Sequence, residues 1–327
     1  MRITLSFVAV VALLAGSQPA HAADPDFNGR WDLIVHKTPA DKAWWLEVIG
    51  AGTPNLKGNF VGFPDGSLHD LPDLKLENGV LKFAWDRPAG VGRGQTTPSP
   101  AVHIDYAFRF VNGKLEGGMS GARENYKMTG ERAPVINEHD DGTWIQGKPI
   151  QIFNGKDLTG WTGTMSDKAA GWAVENGILK SVGHADDLVT KEKYWNFELH
   201  AEFKLADRSN SGIGLRGRYE VQIASDYGRE PGLHGTGALY TRIVPPVNAG
   251  KPPDQWQTYE IRLVGMEVTA ALNGVKLYEK GVIDGLTGIA YDPYEGKPGS
   301  LELQGDHGPV EFRNLILTPL TQAKKAK

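Results

Sequence analysis

Glu220 and Gln222 stand two residues apart in Tyr219-Glu220-Val221-Gln222-Ile223, a segment in which polar and apolar side chains alternate. This is the pattern of a half-buried strand, so the carboxyl and the amide share its polar face. A carboxylate beside an amide on an open sheet face is suited to gripping a sugar. Just upstream, Gly212, Gly214 and Gly217 spell the dinucleotide motif G-x-G-x-x-G. That spelling implies a nucleotide only when it follows a strand and opens a helix. Here it runs into a strand, so no helix N-terminus is available for a phosphate. A second carboxyl, Glu202, lies with Glu198, His200 and Lys204 opposite Phe197, Leu199, Ala201, Phe203 and Leu205. Arg216, Gln222 and Gln304 can donate hydrogen bonds, and His307 sits in a glycine-bounded loop after Gln304. Tyr240 could stack on a sugar ring. Glu202, Arg216, Glu220, Gln222, Gln304 and His307 are therefore expected to line one concave cleft.

The elements that would hold these groups are strands. In the second half, Tyr259, Ile261 and Leu263 alternate with Glu260 and Arg262, and Leu301 and Leu303 with Glu302 and Gln304. Asn176-Gly177, Asn273-Gly274 and Pro298-Gly299 mark turns. Long antiparallel strands with one wet face predict a two-sheet jelly roll. The first half, from Gly29-Arg30-Trp31, carries short strand-like segments with hairpin signals at Asn78-Gly79 and Asn112-Gly113. It reads as a small up-and-down β-barrel or sandwich. It offers no convergent set of titratable groups; Trp44, Trp45 and Trp85 could stack on sugars but suit buried packing better. The expected class is all-β: residues 24–133 as the N-terminal β-domain, 134–148 as a charged linker, and 149–319 as the jelly roll.

Composition bounds the rest. The 327 residues hold no cysteine, which excludes disulfides and a thiolate nucleophile, and 41 glycines and 20 prolines, which suit many tight turns. Arg2, the apolar run from Ile3 to Ala15 and the small residues Ala20 and Ala22 predict a signal peptide over residues 1–22, hence export to the periplasm. The run is shorter than the roughly 20 residues of a membrane span. A net charge of −4 with scattered basic residues gives no nucleic-acid footprint.

A chain of ordered pieces in the second half resembles the bacterial 3-keto-disaccharide hydrolase family. They include Phe153-Asn154-Gly155-Lys156-Asp157-Leu158-Thr159-Gly160-Trp161, Asp187-Leu188-Val189-Thr190, Ser209 through Gln222, Gly237-Ala238-Leu239-Tyr240, Leu303-Gln304-Gly305-Asp306-His307-Gly308 and Phe312-Arg313-Asn314. The resemblance implies a concanavalin-like jelly roll that cleaves glycosides whose sugar has been oxidised to a 3-ketone. A ketone at C3 acidifies the C2 hydrogen; a base removes it, the C1 substituent leaves by β-elimination, and water can add back. Such a reaction needs a base, a donor at the enolate oxygen and an acid at the leaving oxygen. The candidates are Glu220, His307 and Glu202 for proton transfer, with Glu220 or His307 as the base, and Arg216, Gln222, Gln304 and Tyr240 for the substrate. No cofactor is required, although a divalent ion could polarise the ketone. Two other readings stay open. In one, Glu202 and Glu220 are the pair of a conventional glycosidase, about 5–5.5 Å apart if retaining or about 6.5–9.5 Å if inverting. In the other, the chain is a non-catalytic glycan-binding module.

Overall fold

The computed structural model describes residues 26–37, 41–63, 65–87, 89–90, 100–121, 125–166 and 169–322. The expected signal peptide lies outside them. The described residues form strands, turns and loops only, and no helix among them is long and apolar enough to cross a membrane.

Nine strands build the first sheet: β1 (Gly29–His36), β2 (Lys42–Ile49), β3 (Lys57–Val61), β4 (Leu68–Asp70), β5 (Lys75–Glu77), β6 (Val80–Arg87), β7 (Val102–Val111), β8 (Lys114–Gly121) and β9 (Asn125–Arg132). They pair antiparallel in the order β4-β3-β2-β1-β9-β8-β7-β6-β5. The sheet curls on itself, because Phe60 on β3 meets Phe83 on β6 at 5.1 Å and Tyr106 on β7 at 4.9 Å between ring centres. Trp31, Leu33, Leu46, Val48, Phe108 and Met128 fill its interior. The barrel alternative is therefore the one observed, with its open seam between the short strands β4 and β5.

The second half contains β10 (Trp144–Gln146), β11 (Ile150–Gln151), β12 (Trp161–Gly163), β13 (Trp172–Glu175), β14 (Ile178–Ser181), β15 (Leu188–Thr190), β16 (Phe197–Leu205), β17 (Asn210–Leu215), β18 (Tyr219–Ala224), β19 (Gln257–Val264), β20 (Glu267–Leu272), β21 (Val275–Val282), β22 (Glu302–Leu303) and β23 (Val310–Gln322). The larger sheet runs β13-β14-β23-β16-β19-β20-β21, with β10 and β11 also paired to β23; the smaller runs β12-β15-β22-β17-β18. Leu199, Ala201, Phe203, Tyr259 and Ile261 of the larger sheet bury with Ile213, Leu215, Val221 and Leu303 of the smaller in one core. Each such Leu, Ile, Val or Phe side chain contributes roughly 1.5–3 kcal/mol on burial.

Asn78-Gly79, Asn112-Gly113, Asn176-Gly177 and Asn273-Gly274 all have positive φ at both residues, the geometry of a tight hairpin. Pro298-Gly299 differs: Gly299 bridges to Tyr194 instead of turning a hairpin. Segment 134–148 is pinned to the jelly roll. Glu138 accepts hydrogen bonds from Trp195 and Asn196 at 2.7 and 2.8 Å, and Asp140 pairs with Arg262 at 2.7 Å.

Barrel and jelly roll share buried surface. On β2 the even positions Leu46 and Val48 face the barrel interior, whereas the odd positions Ala43 and Trp45, with Val61 of β3, join the jelly-roll core. Arg242 lies over the Trp45 ring at 5.1 Å. This contact fixes the mouth of the barrel over the smaller sheet.

Candidate active site

The outward face of the smaller sheet carries the polar residues of β18 and β22. Register sets them in rows: Glu220 opposite Gly214, which is opposite Glu302, and Gln222 opposite Gly212. Gln304 donates its backbone N–H to Gly212 O at 3.0 Å and so extends the second row. The two glycines have a packing role. A Cβ on Gly212 would stand 2.5 Å from Glu220 Oε1, and one on Gly214 2.6 Å from Glu302 Oε2. Both carboxyl groups lean over β17, and only glycine leaves them room.

A cavity of about 430 Å³ lies between this face and the barrel mouth. Asp187, Glu220, Gln222, Tyr240, Gln304 and His307 line it from the jelly roll; Lys42, Trp44, Asp65 and Tyr126 line it from the barrel. Five of the expected residues thus converge: Glu220, Gln222, Tyr240, Gln304 and His307. Gln222 Oε1 accepts the Ile223 N–H at 2.9 Å, so the amide NH₂ is the end it can offer. Burial and the Glu220 charge push the Tyr240 phenol up to about 12, which keeps it a neutral donor.

Two expected residues do not belong. Glu202 sits on the outer face of the larger sheet, across the core from Glu220. There its carboxylate accepts Arg313 Nε and Asn314 Nδ2, each at 2.6 Å. Burial would raise that carboxyl, but the Asn314 and Arg313 hydrogen bonds outweigh it and hold it low. Alternation correctly turned Glu202 away from the core; which of two sheets received its strand was a tertiary matter. Arg216 is fully buried in the β17–β18 turn at φ 58°. Its Nε donates to Trp195 O at 2.7 Å, its Nη2 to Asn196 Oδ1 at 2.9 Å, and its guanidinium stacks 3.8 Å from the centre of the Trp195 ring. It is a structural clamp and cannot serve a substrate in this cavity.

The electrostatics come from carboxyl groups crowded out of water. Burial, reinforced by the charges of Asp187 and Asp306, pushes Glu220 up to about 8. Asp187, which accepts the Gly305 N–H at 2.9 Å, is raised to about 6 by burial and by Asp306. Glu302 is completely buried, has no hydrogen-bond partner for either oxygen among the described residues, and is driven well above the carboxylate range by burial and Asp187. His307 is raised by its hydrogen bond to Asp306. Desolvation would raise Asp306 too, but the bond to His307 holds it low. Among the described residues, no three His, Cys, Asp or Glu side chains form a group that could hold a metal ion.

Glu302 was accessible to the period-two argument, since it shares a face with Gln304. Asp187 sits within the family-like segment Asp187-Leu188-Val189-Thr190, but nothing local marks it as titratable near neutrality. Of these barrel residues the sequence singles out only Trp44, for which buried packing is the expectation; it is instead half-buried and lines the cavity, whereas Trp45 is the one packed in the core. Lys42, Asp65 and Tyr126 carry no local signal, because only the docking of the two halves brings them here.

The sequence profile of the 3-keto-alpha-glucoside-1,2-lyase-like domain matches residues 148–318, just over half of the chain. The chain belongs to this family. The matched residues include the smaller sheet and exclude the barrel. A 3-keto-disaccharide hydrolase of Bacteroides thetaiotaomicron is 36% identical over 74 residues, 20% of this chain and 26% of the relative. The chain thus spans about a quarter of the length of that curated relative. A structure from Parabacteroides distasonis, provisionally assigned as a glycosyl hydrolase, is similar at 27% identity and a TM-score of 0.46, over 57% of this chain and 92% of the other. A carbohydrate-binding module of Bacillus subtilis shows 14% identity and a TM-score of 0.33, over 48% of this chain and 94% of the other.

The raised carboxyls also set the pH dependence of the fold's stability. Asp32, Asp187, Glu220 and Glu302 all have raised carboxyls, Asp32 through burial and its neighbour Glu295. Each keeps its proton when folded at pH values where the unfolded chain, with carboxyls near about 4, has released it. The unfolded state then binds fewer protons, so stability falls as pH rises. The loss runs from about 4 through about 6 for Asp187 and about 8 for Glu220, and continues above for Glu302 and Asp32. The thermal midpoint is expected to fall from pH 5 to pH 9. Glu302→Gln, which mimics the protonated acid, should flatten that slope; an unchanged slope would refute the assignment.

Proposed function

We propose that this chain cleaves 3-keto-glycosides by removing the C2 proton and eliminating the C1 substituent, after which water adds back. One observation carries the reading. Two carboxyl groups line the same cavity, and burial with the neighbouring charges raises them unequally, Asp187 to about 6 and Glu220 to about 8. Such a split divides a carboxyl pair into a base and an acid at neutral pH. Asp187 takes the C2 proton as its carboxylate. The C–H electrons form the C2–C3 double bond and those of the carbonyl move to O3. The carbonyl then reforms and the C2–C3 double-bond electrons shift to form C1=C2. The C1–O bond breaks with its electrons leaving on oxygen, and that oxygen takes the proton of Glu220; water later adds across C1=C2. Gln222, Gln304 and Tyr240 orient the ring, beside His307, whose hydrogen bond to Asp306 favours the charged imidazolium.

The conventional two-carboxylate reading needs Glu202 beside Glu220, and those groups lie on opposite faces of the sandwich. The deciding experiment incubates the purified protein with a 3-keto-glucoside and its unoxidised parent. The keto compound alone should be cleaved, with an isotope effect or solvent exchange at C2. Cleavage of the parent alone would establish a direct hydrolase, and binding without cleavage a glycan-binding module.

A further inference from the structure

The cavity has a wall that lies outside the family-matched residues. Alternate positions of β2 divide the work: Ala43 and Trp45 turn into the jelly-roll core, while Lys42 and Trp44 line the cavity. The barrel is held there by several contacts. Ala43 N–H donates to Ala290 O at 3.3 Å, Leu68 N–H donates to Thr241 Oγ1 at 3.2 Å, and Ser67 Oγ meets His234 Nε2 at 3.0 Å. Gly66 and Gly288 touch so closely that a Cβ on Gly66 would stand 2.9 Å from the Gly288 Cα.

Elimination requires a positive group or strong donor where the enolate oxygen develops. Arg216, the arginine expected for that task, is committed beneath the sheet. Two lysines line the cavity, Lys37 and Lys42. Lys37 Nζ is engaged 5.1 Å over the Tyr126 ring. Lys42 makes no ion pair or hydrogen bond among the described residues, although its charge reaches Asp187, Glu302, Asp306 and His307. A compact ammonium on a flexible stem beside such a cluster is free to meet a ligand oxygen.

We propose that Lys42 is a catalytic residue whose ammonium stabilises the enolate oxygen at C3, so that the barrel supplies part of the active site. The proposal rests on the 3-keto-glycoside reading above. Lys42 transfers no proton; it lowers the cost of placing negative charge on O3 while the C2–H bond breaks to Asp187.

The test uses the full chain with a 3-keto-glucoside, comparing wild type with Lys42→Met, Lys42→Gln and Lys42→Arg. In the two neutral variants kcat should fall by ~10²–10³ with KM little changed. Solvent exchange at C2 should fall in parallel, and Lys42→Arg should recover part of both. The charge of Lys42 acts on Asp187 to lower its carboxyl. The acidic limb of the pH profile, which Asp187 sets among Glu220, Glu302, Asp306, His307 and Lys37, should therefore move upward in both neutral variants. That shift reports the lost charge beside Asp187, whereas the parallel loss of kcat and of C2 exchange reports contact with the enolate. Neutral variants that retain kcat and C2 exchange within about 3-fold would overturn the role, as would a rise in KM alone. If the wild type itself neither cleaves nor exchanges the keto sugar, the reading of the reaction fails first, and the wild-type assay alone reveals it.

Discussion

Replacing Asp187 by Asn is expected to reduce cleavage of a 3-keto-glucoside by ~10²–10⁴, the usual cost of removing a proton-transfer group. Asn keeps the side-chain oxygen that accepts the Gly305 N–H, so the loop should stay in place. What disappears is the base. Solvent deuterium should no longer enter C2, and the limb near pH 6, where Asp187 must lose its proton before it can act, should vanish from the kcat/KM profile. Normal exchange at C2 in this variant would show that another group abstracts the proton, with His307 the next candidate.

Replacing Glu220 by Gln should lower turnover by a similar ~10²–10⁴ but with a different signature. Glu220 is 3% exposed and its carboxyl leans into space kept open by Gly212, so an amide of the same size fits. The variant lacks the proton that the departing oxygen needs, yet it keeps the base. C2 exchange should persist while cleavage stalls, and a substrate with a good leaving group should regain much of the rate. The wild-type rate should fall above pH 8 as Glu220 ionises, and that limb should be absent from the variant. Loss of C2 exchange together with cleavage would instead make Glu220 the base.

These two variants bear on residues of unequal visibility. Glu220 and Gln222 were identified by alternation alone, because a period of two places every second residue on the same side of a sheet. Glu302 follows from the same rule. Arg216 shows where local pattern stops: charge and proximity suggested a donor, but the turn at φ 58° tucks its guanidinium under Trp195. Glu202 satisfies alternation as well as Glu220 does, yet its strand belongs to the opposite sheet.

By itself the sequence determined the all-β class, the hairpins at the Asn-Gly turns, the polar face of each long strand and the family of the second half. These properties depend on residues within a few positions of one another, where backbone sterics and side-chain periodicity act directly. Tertiary structure decided the rest: which sheet each strand joined, how closely Asp187, Glu220 and Glu302 crowd, and that the barrel mouth closes the cavity with Lys42 and Trp44. The shifted carboxyls arise from burial and from charges distant in sequence, and both come into being only when the chain folds and its two halves dock.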